Sequence, residues 1–212
     1  MDLALLAAFV IAVFLLSVAP GPDMLFIVAN AGVGGRRAGV VAAAGMSTGL
    51  AGHTVAAAAG LTALIAAAPE ALTVIRVLGA VFLVHLAVSS WRAGRSAGPA
   101  ATTPAVPRRS LRKVYAMATL TNLANPKIVL FYLAFLPQFL TTGADAWPVW
   151  AQLLTLGAVF IAVGFPVDAT IGLTAGGLAE RLLHRPSVRR RLDQVCAVIF
   201  GGLAVRLLVD TR

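Results

Sequence analysis

Two short motifs place a charge directly behind a proline inside apolar sequence. Pro20-Gly21-Pro22 is followed by Asp23, and Asn125-Pro126 is followed by Lys127. Proline lacks an N–H and fixes φ, so it frees a carbonyl on the turn before it. The helix that resumes behind it presents unpaired N–H groups and the positive end of its dipole. In hydrocarbon such groups must find partners, and a bound ion or substrate can supply them. The same residues also have a structural use. Asn125-Pro126 makes a good N-cap with a first-turn proline. Asp23 gains from the dipole of its own helix, and Asp23 and Lys127 can neutralise each other.

Two more ionisable side chains, His53 and Asp168, lie well inside long apolar runs. Such positions are costly in a bilayer and functional by default, the alternative being a satisfied bond between helices. His85 lies nearer a basic loop and reads as structural. Arg206 can snorkel or pair with a carboxylate. The single cysteine, Cys196, excludes an internal disulfide or a Cys-based metal site and reads as packing.

The elements that must position these groups are membrane helices. Of 212 residues, 59% are hydrophobic and 12% charged, about half the charge of a soluble domain. Apolar stretches run over about 3–30, 38–67, 72–91, 114–139, 147–179 and 194–209. At about 1.5 Å per residue most can cross a hydrocarbon core of about 30 Å. The last is short, which leaves a five-span arrangement as the alternative. Ser17-Val18-Ala19 resembles a signal cleavage site, but only Asp2 precedes the apolar run, where a signal peptide carries positive charge. Residues 3–30 are therefore expected as one retained, broken span.

The net charge of +9 is concentrated in loops. Arg36 and Arg37 form one cluster. Arg92, Arg95, Arg108, Arg109, Arg112 and Lys113 form the second, and Arg181, Arg185, Arg189, Arg190 and Arg191 the third. Without aromatic or polar faces beside them, these clusters argue against nucleic acid and for orientation in a membrane. Six spans with both termini outside put all three clusters in the cytoplasm. Trp91, Trp147, Trp150 and Tyr115 fall near span ends, as in an aromatic belt.

Residues 94–110, rich in Pro, Ala, Ser and Thr, read as a cytoplasmic linker. The expected architecture is all-α and single-domain over 1–212, with one repeat at 1–93 and a second at 111–212. Three spans per half give the halves opposite orientations. Aligning them pairs Pro22 with Pro126, Asp23 with Lys127, and His53 with Asp168. Gly49 and Gly164 each lie four residues earlier. Inverted repeats with helices 1 and 4 broken at matching prolines are a transporter signature, with the site at the breaks. Gly45-x-x-x-Gly49 and Gly172-x-x-x-Gly176 read as close helix packing. Small-residue faces also suit a homodimer.

These landmarks together resemble the LysE/RhtB family of bacterial amino-acid exporters. The blocks that carry the likeness are PGPDMLFIVANAGVGGRRAG, GMSTGLAGHTVAAAAGLTALI and NLANPKIVLFYLAFLPQF. The resemblance implies a multi-pass protein of the inner membrane that exports amino acids or related metabolites, coupled to the proton gradient. It points to Pro20, Gly21, Pro22, Asp23, Asn125, Pro126 and Lys127 as substrate-binding positions. No cofactor is implied. The sequence has no P-loop to supply energy from a nucleotide, so an intramembrane group must carry protons. His53 and Asp168 are the candidates.

Other functions fit less well. Gly45-Met46-Ser47-Thr48-Gly49 matches G-x-S-x-G, but an expected continuous helix is not the strand–turn–helix elbow that motif needs. A metal-cation exporter should carry paired carboxylates, His clusters or thiols in its spans. A non-transporting membrane scaffold should tolerate neutral replacements at Asp23 and Asp168.

Overall fold

The computed structural model describes residues 3–19, 21–68, 70–95, 108–141, 143, 146–175 and 186–209. Helices are α1 (Leu3–Val18), α2 (Pro22–Ala67), α3 (Ala71–Arg95), α4 (Leu111–Leu123), α5 (Pro126–Leu130), α6 (Val149–Thr174) and α7 (Pro186–Val209). A π turn (Phe131–Phe135) and a 3₁₀ turn (Leu136–Phe139) continue α5. There is no strand among the described residues. By length and apolarity α2 and α6 can cross a membrane, and α4 with the segment after Pro126 makes a third if that bent pair is one span.

α2 is not straight. Gly35 interrupts it with φ 75° and ψ −177°, a combination open essentially to glycine alone. Asp23 and Gly49 both meet Asn122 of α4, yet on a straight helix they would stand about 39 Å apart. The chain therefore doubles back at Gly35, and arms 22–34 and 36–67 form a hairpin. Ile27, eight residues before the turn, joins a core cluster with Ala42 and Ala43, seven and eight after it. The connection expected around Arg36 and Arg37 is thus compressed to one residue, with helix on either side.

Glycines fix the register of the centre. A methyl at Gly39 would lie 2.5 Å from the Gly172 carbonyl oxygen, and Gly157 abuts Thr54. Arm 36–67 and α6 therefore run antiparallel. Gly45 packs on Ala118 and Gly49 on Asn122, so the same arm runs parallel to α4. Gly176, the far end of the second glycine pair, lies outside the described residues. α3 packs mainly on α7.

α1 buries Phe9, Ala12, Val13 and Leu16, the three-and-four spacing of one helical face. Ile11 and Phe14 on its other faces are 59% and 49% exposed. Apolar residues on every side suit lipid rather than water. Phe131 and Phe139 meet Phe9, and Tyr132 stacks on Phe160 at 5.7 Å. This aromatic cluster anchors the segment after Pro126 against α1 and α6. Trp91, Trp147, Trp150 and Tyr115 are all exposed.

Candidate substrate site at two helix breaks

Both breaks start from local sequence. α1 makes its last backbone bond from Ala19 N to Leu15 O. Gly21 is extended, and Pro22 opens α2. Gly21 has no side chain to cap the new helix, whose first backbone bond is Leu25 N to Gly21 O. The N–H groups of Asp23 and Met24 thus have no partner within the helix. At the second break α4 ends at Leu123 and Pro126 opens α5, with a bend of 47° between them. Here Asn125 caps the helix, its Oδ1 accepting from Lys127 N at 3.0 Å.

Each break is closed by a residue of the other. The Lys127 ammonium donates to the Leu16 carbonyl at 3.0 Å and the Ala19 carbonyl at 3.3 Å, two oxygens freed at the end of α1. In return Asn122, near the end of α4, donates its Nδ2 to Asp23 Oδ2 at 2.8 Å. Gly21 leaves room for this arrangement, since a methyl there would lie 3.2 Å from Lys127 Nζ.

A cavity lies between the two breaks. Leu16, Ser17, Ala19, Asp23, Met24 and Leu50 line it from the chain before residue 94. Asn122, Lys127, Ile128, Phe160, Gly164 and Asp168 line it from the chain after residue 110. Its free volume is about 30 Å³, room for a water or two rather than a whole amino acid. Asp23 Oδ1, Asn122 Oδ1 and Asn125 Nδ2 are buried without a hydrogen-bond partner among the described residues.

Of the expected site residues, the cavity brings together Asp23, Lys127 and Asp168. Pro22 and Pro126 are exposed and act as helix starts. Gly21 and Asn125 shape the breaks without lining the cavity, and Pro20 lies outside the described residues. His53 also stands apart. Its Nε2 lies 3.3 Å from the Asn122 carbonyl oxygen. A carbonyl only accepts, so the imidazole carries a proton on Nε2. The ring also packs on Tyr132, whose hydroxyl is bonded to Thr54 at 2.8 Å and to the Leu50 carbonyl at 3.2 Å. The register of α2 on α6 sets Asp168 level with about residue 43, ten residues or about 15 Å from His53. His53 and Asp168 therefore face different surroundings despite their matching sequence positions.

The sequence reading missed Asn122, which is 1% exposed and joins Asp23, His53 and Gly49. Its only signal was a second amide three residues before Asn125. Ser47 lies mid-helix and bonds to the Ala43 carbonyl at 3.1 Å, so the G-x-S-x-G stretch forms no elbow.

Residues 14–211 match the LysE type translocator family. The chain belongs to that family. It is 31% identical to a leucine efflux protein of Klebsiella pneumoniae, over 92% of this chain and 90% of the relative. It is 31% identical to a homoserine/homoserine lactone efflux protein of Salmonella typhimurium, over 97% and 96%. A Vibrio cholerae membrane protein is 30% identical over 98% of both chains. No solved structure matches. LysE type translocators are membrane transporters, and both breaks lie within the matched region, which among the helices leaves out only the first part of α1.

Proposed function

We propose that this LysE type translocator exports amino acids from the bacterial cytoplasm across the inner membrane, in exchange for protons. The observation that carries the reading is the polar cavity between the two breaks, where opposite charges from separate helices face one small volume. A zwitterion matches it. The substrate carboxylate meets the open N–H groups of α2 and the Lys127 ammonium, and the substrate ammonium meets Asp23 or Asp168. The similarity to a leucine efflux protein and a homoserine/homoserine lactone efflux protein agrees with this class of substrate.

The architecture proposed is six spans in two inverted halves, 1–93 and 111–212, with both termini outside. Inversion requires spans 2 and 5 to run in opposite directions and spans 2 and 4 in the same direction. The packing of arm 36–67 on α6 and on α4 supports this. The cavity in its present form is too small for substrate, so transport requires the halves to part, by rocking of one against the other. Cysteines introduced at Ser96 and Thr142, both outside the described residues, test the orientation. Label from the cytoplasmic side should reach the first and not the second, and equal labelling ends the six-span arrangement.

Purified protein in vesicles loaded with single amino acids tests the function. Saturable efflux of at least one, accelerated by an inward proton gradient, is expected. No efflux of any amino acid tested ends the reading.

A further inference from the structure

Asn122 stands at the centre of the site, between Asp23, His53 and Gly49. Its Nδ2 donates to Asp23 Oδ2 at 2.8 Å. The carboxylate can only accept, which fixes the amide orientation and leaves Asn122 Oδ1 as an acceptor. Among the described residues that oxygen has no hydrogen-bond partner, and neither has Asp23 Oδ1. Two residues bonded to each other thus hold a pair of buried oxygens with no donor among the described residues to serve them. A buried acceptor left unpaired has lost its water without gaining a partner, which favours any donor that can reach it. Both residues line the cavity.

We infer that Asp23 Oδ1 and Asn122 Oδ1 together form the subsite for the substrate's primary ammonium group, and that Asn122 sets the requirement for a free amine. The inference rests on the proposed function and deepens it. An ammonium carries three N–H donors and a positive charge. It satisfies both oxygens at once and leaves one donor for the remaining cavity wall. The free volume of about 30 Å³ accepts a group of that size. The backbone of Asn122 is held as well, since its carbonyl accepts from His53 and its side chain rests against Gly49. The subsite is therefore preorganised, and its oxygens need not move to meet a donor.

The test compares binding of leucine and homoserine with that of 4-methylpentanoate, which is leucine without its amine, and of N,N,N-trimethylleucine, whose cation has no N–H. Wild-type protein in detergent should bind leucine or homoserine at least tenfold more tightly than the two analogues. Asn122→Leu should weaken leucine and homoserine binding at least tenfold and leave 4-methylpentanoate unchanged. The comparison of leucine with its trimethyl derivative needs no variant, so it stands even where Asn122→Leu does not fold. Where the wild type binds neither leucine nor homoserine, the comparison uses the amino acid it exports and that acid's deaminated and N,N,N-trimethyl analogues, and binding of no amino acid overturns the proposed function and this inference with it. Binding of leucine with equal affinity for N,N,N-trimethylleucine, or an equal loss for leucine and 4-methylpentanoate in Asn122→Leu, overturns the inference alone.

Discussion

The ammonium of Lys127 sits 3.0 Å from the carbonyl oxygen of Leu16, so a residue that opens α5 caps the end of α1. The two residues are 111 positions apart. This contact ties the two helix breaks into one unit. Lys127→Met should leave the Leu16 and Ala19 carbonyls unpaired and cost about 2–3 kcal/mol. A lower melting temperature in detergent together with lost efflux is the expected result. An unchanged melting temperature would mean that the lysine does not hold α1.

Asp168 shares the cavity with Asp23, and the proposed function gives the two carboxylates different tasks. Asp168→Asn is expected to abolish efflux driven by a pH gradient while substrate exchange continues in part. Asp23→Asn should weaken substrate binding instead, because it discharges one of the two unpaired oxygens. Parallel assays of gradient-driven efflux and of exchange in vesicles separate the two effects. An unaltered pH dependence in Asp168→Asn and in His53→Gln would end the assignment of proton coupling to these residues.

Gly49 supports Asn122 by having no side chain. A methyl there would lie 2.6 Å from Asn122 Oδ1. Gly49→Ala should therefore displace the amide, cost about 1–3 kcal/mol and reduce substrate affinity. Gly60 lies on the same helix with open space around it. Gly60→Ala should keep full transport and gain up to about 1 kcal/mol from helix propensity. Melting curves and binding isotherms on the pair check both statements.

The hairpin in α2 depends on one residue. At φ 75° and ψ −177°, Gly35→Ala should cost about 1–3 kcal/mol. Lower stability is expected with the site chemistry unchanged in whatever protein folds. Gly34→Ala meets a different obstacle, the Ala38 methyl 2.6 Å away, so the two variants distinguish backbone strain from crowding.

How much of this was legible in the sequence depended on whether the signal was local. Asp23 and Lys127 stood out because a proline and a charge interrupt apolar residues, and each break is built within a few residues of its motif. Asp168 stood out because a lone carboxylate is costly in a span. Asn122 did not, since an amide near a helix end is ordinary and its meaning comes from Asp23, 99 positions away. The separation of His53 from Asp168 was hidden for a similar reason. It follows from the register of α2 on α6, which is set by glycine contacts. The turn at Gly35 was obscured by its neighbours, because the stretch Gly32-Val33-Gly34-Gly35 offers three glycines and no rule for choosing among them.

The small size of the central cavity has a consequence for the cell that carries the protein. A membrane that stores energy as a proton gradient tolerates no standing water column through its proteins. With room for only a water or two between the breaks, and with the first helix end held by Lys127, this cavity by itself offers protons no continuous wet path among the described residues. The protein can then be abundant in an energised membrane without short-circuiting it, and leakage current through unliganded protein should be indistinguishable from that of the bare bilayer.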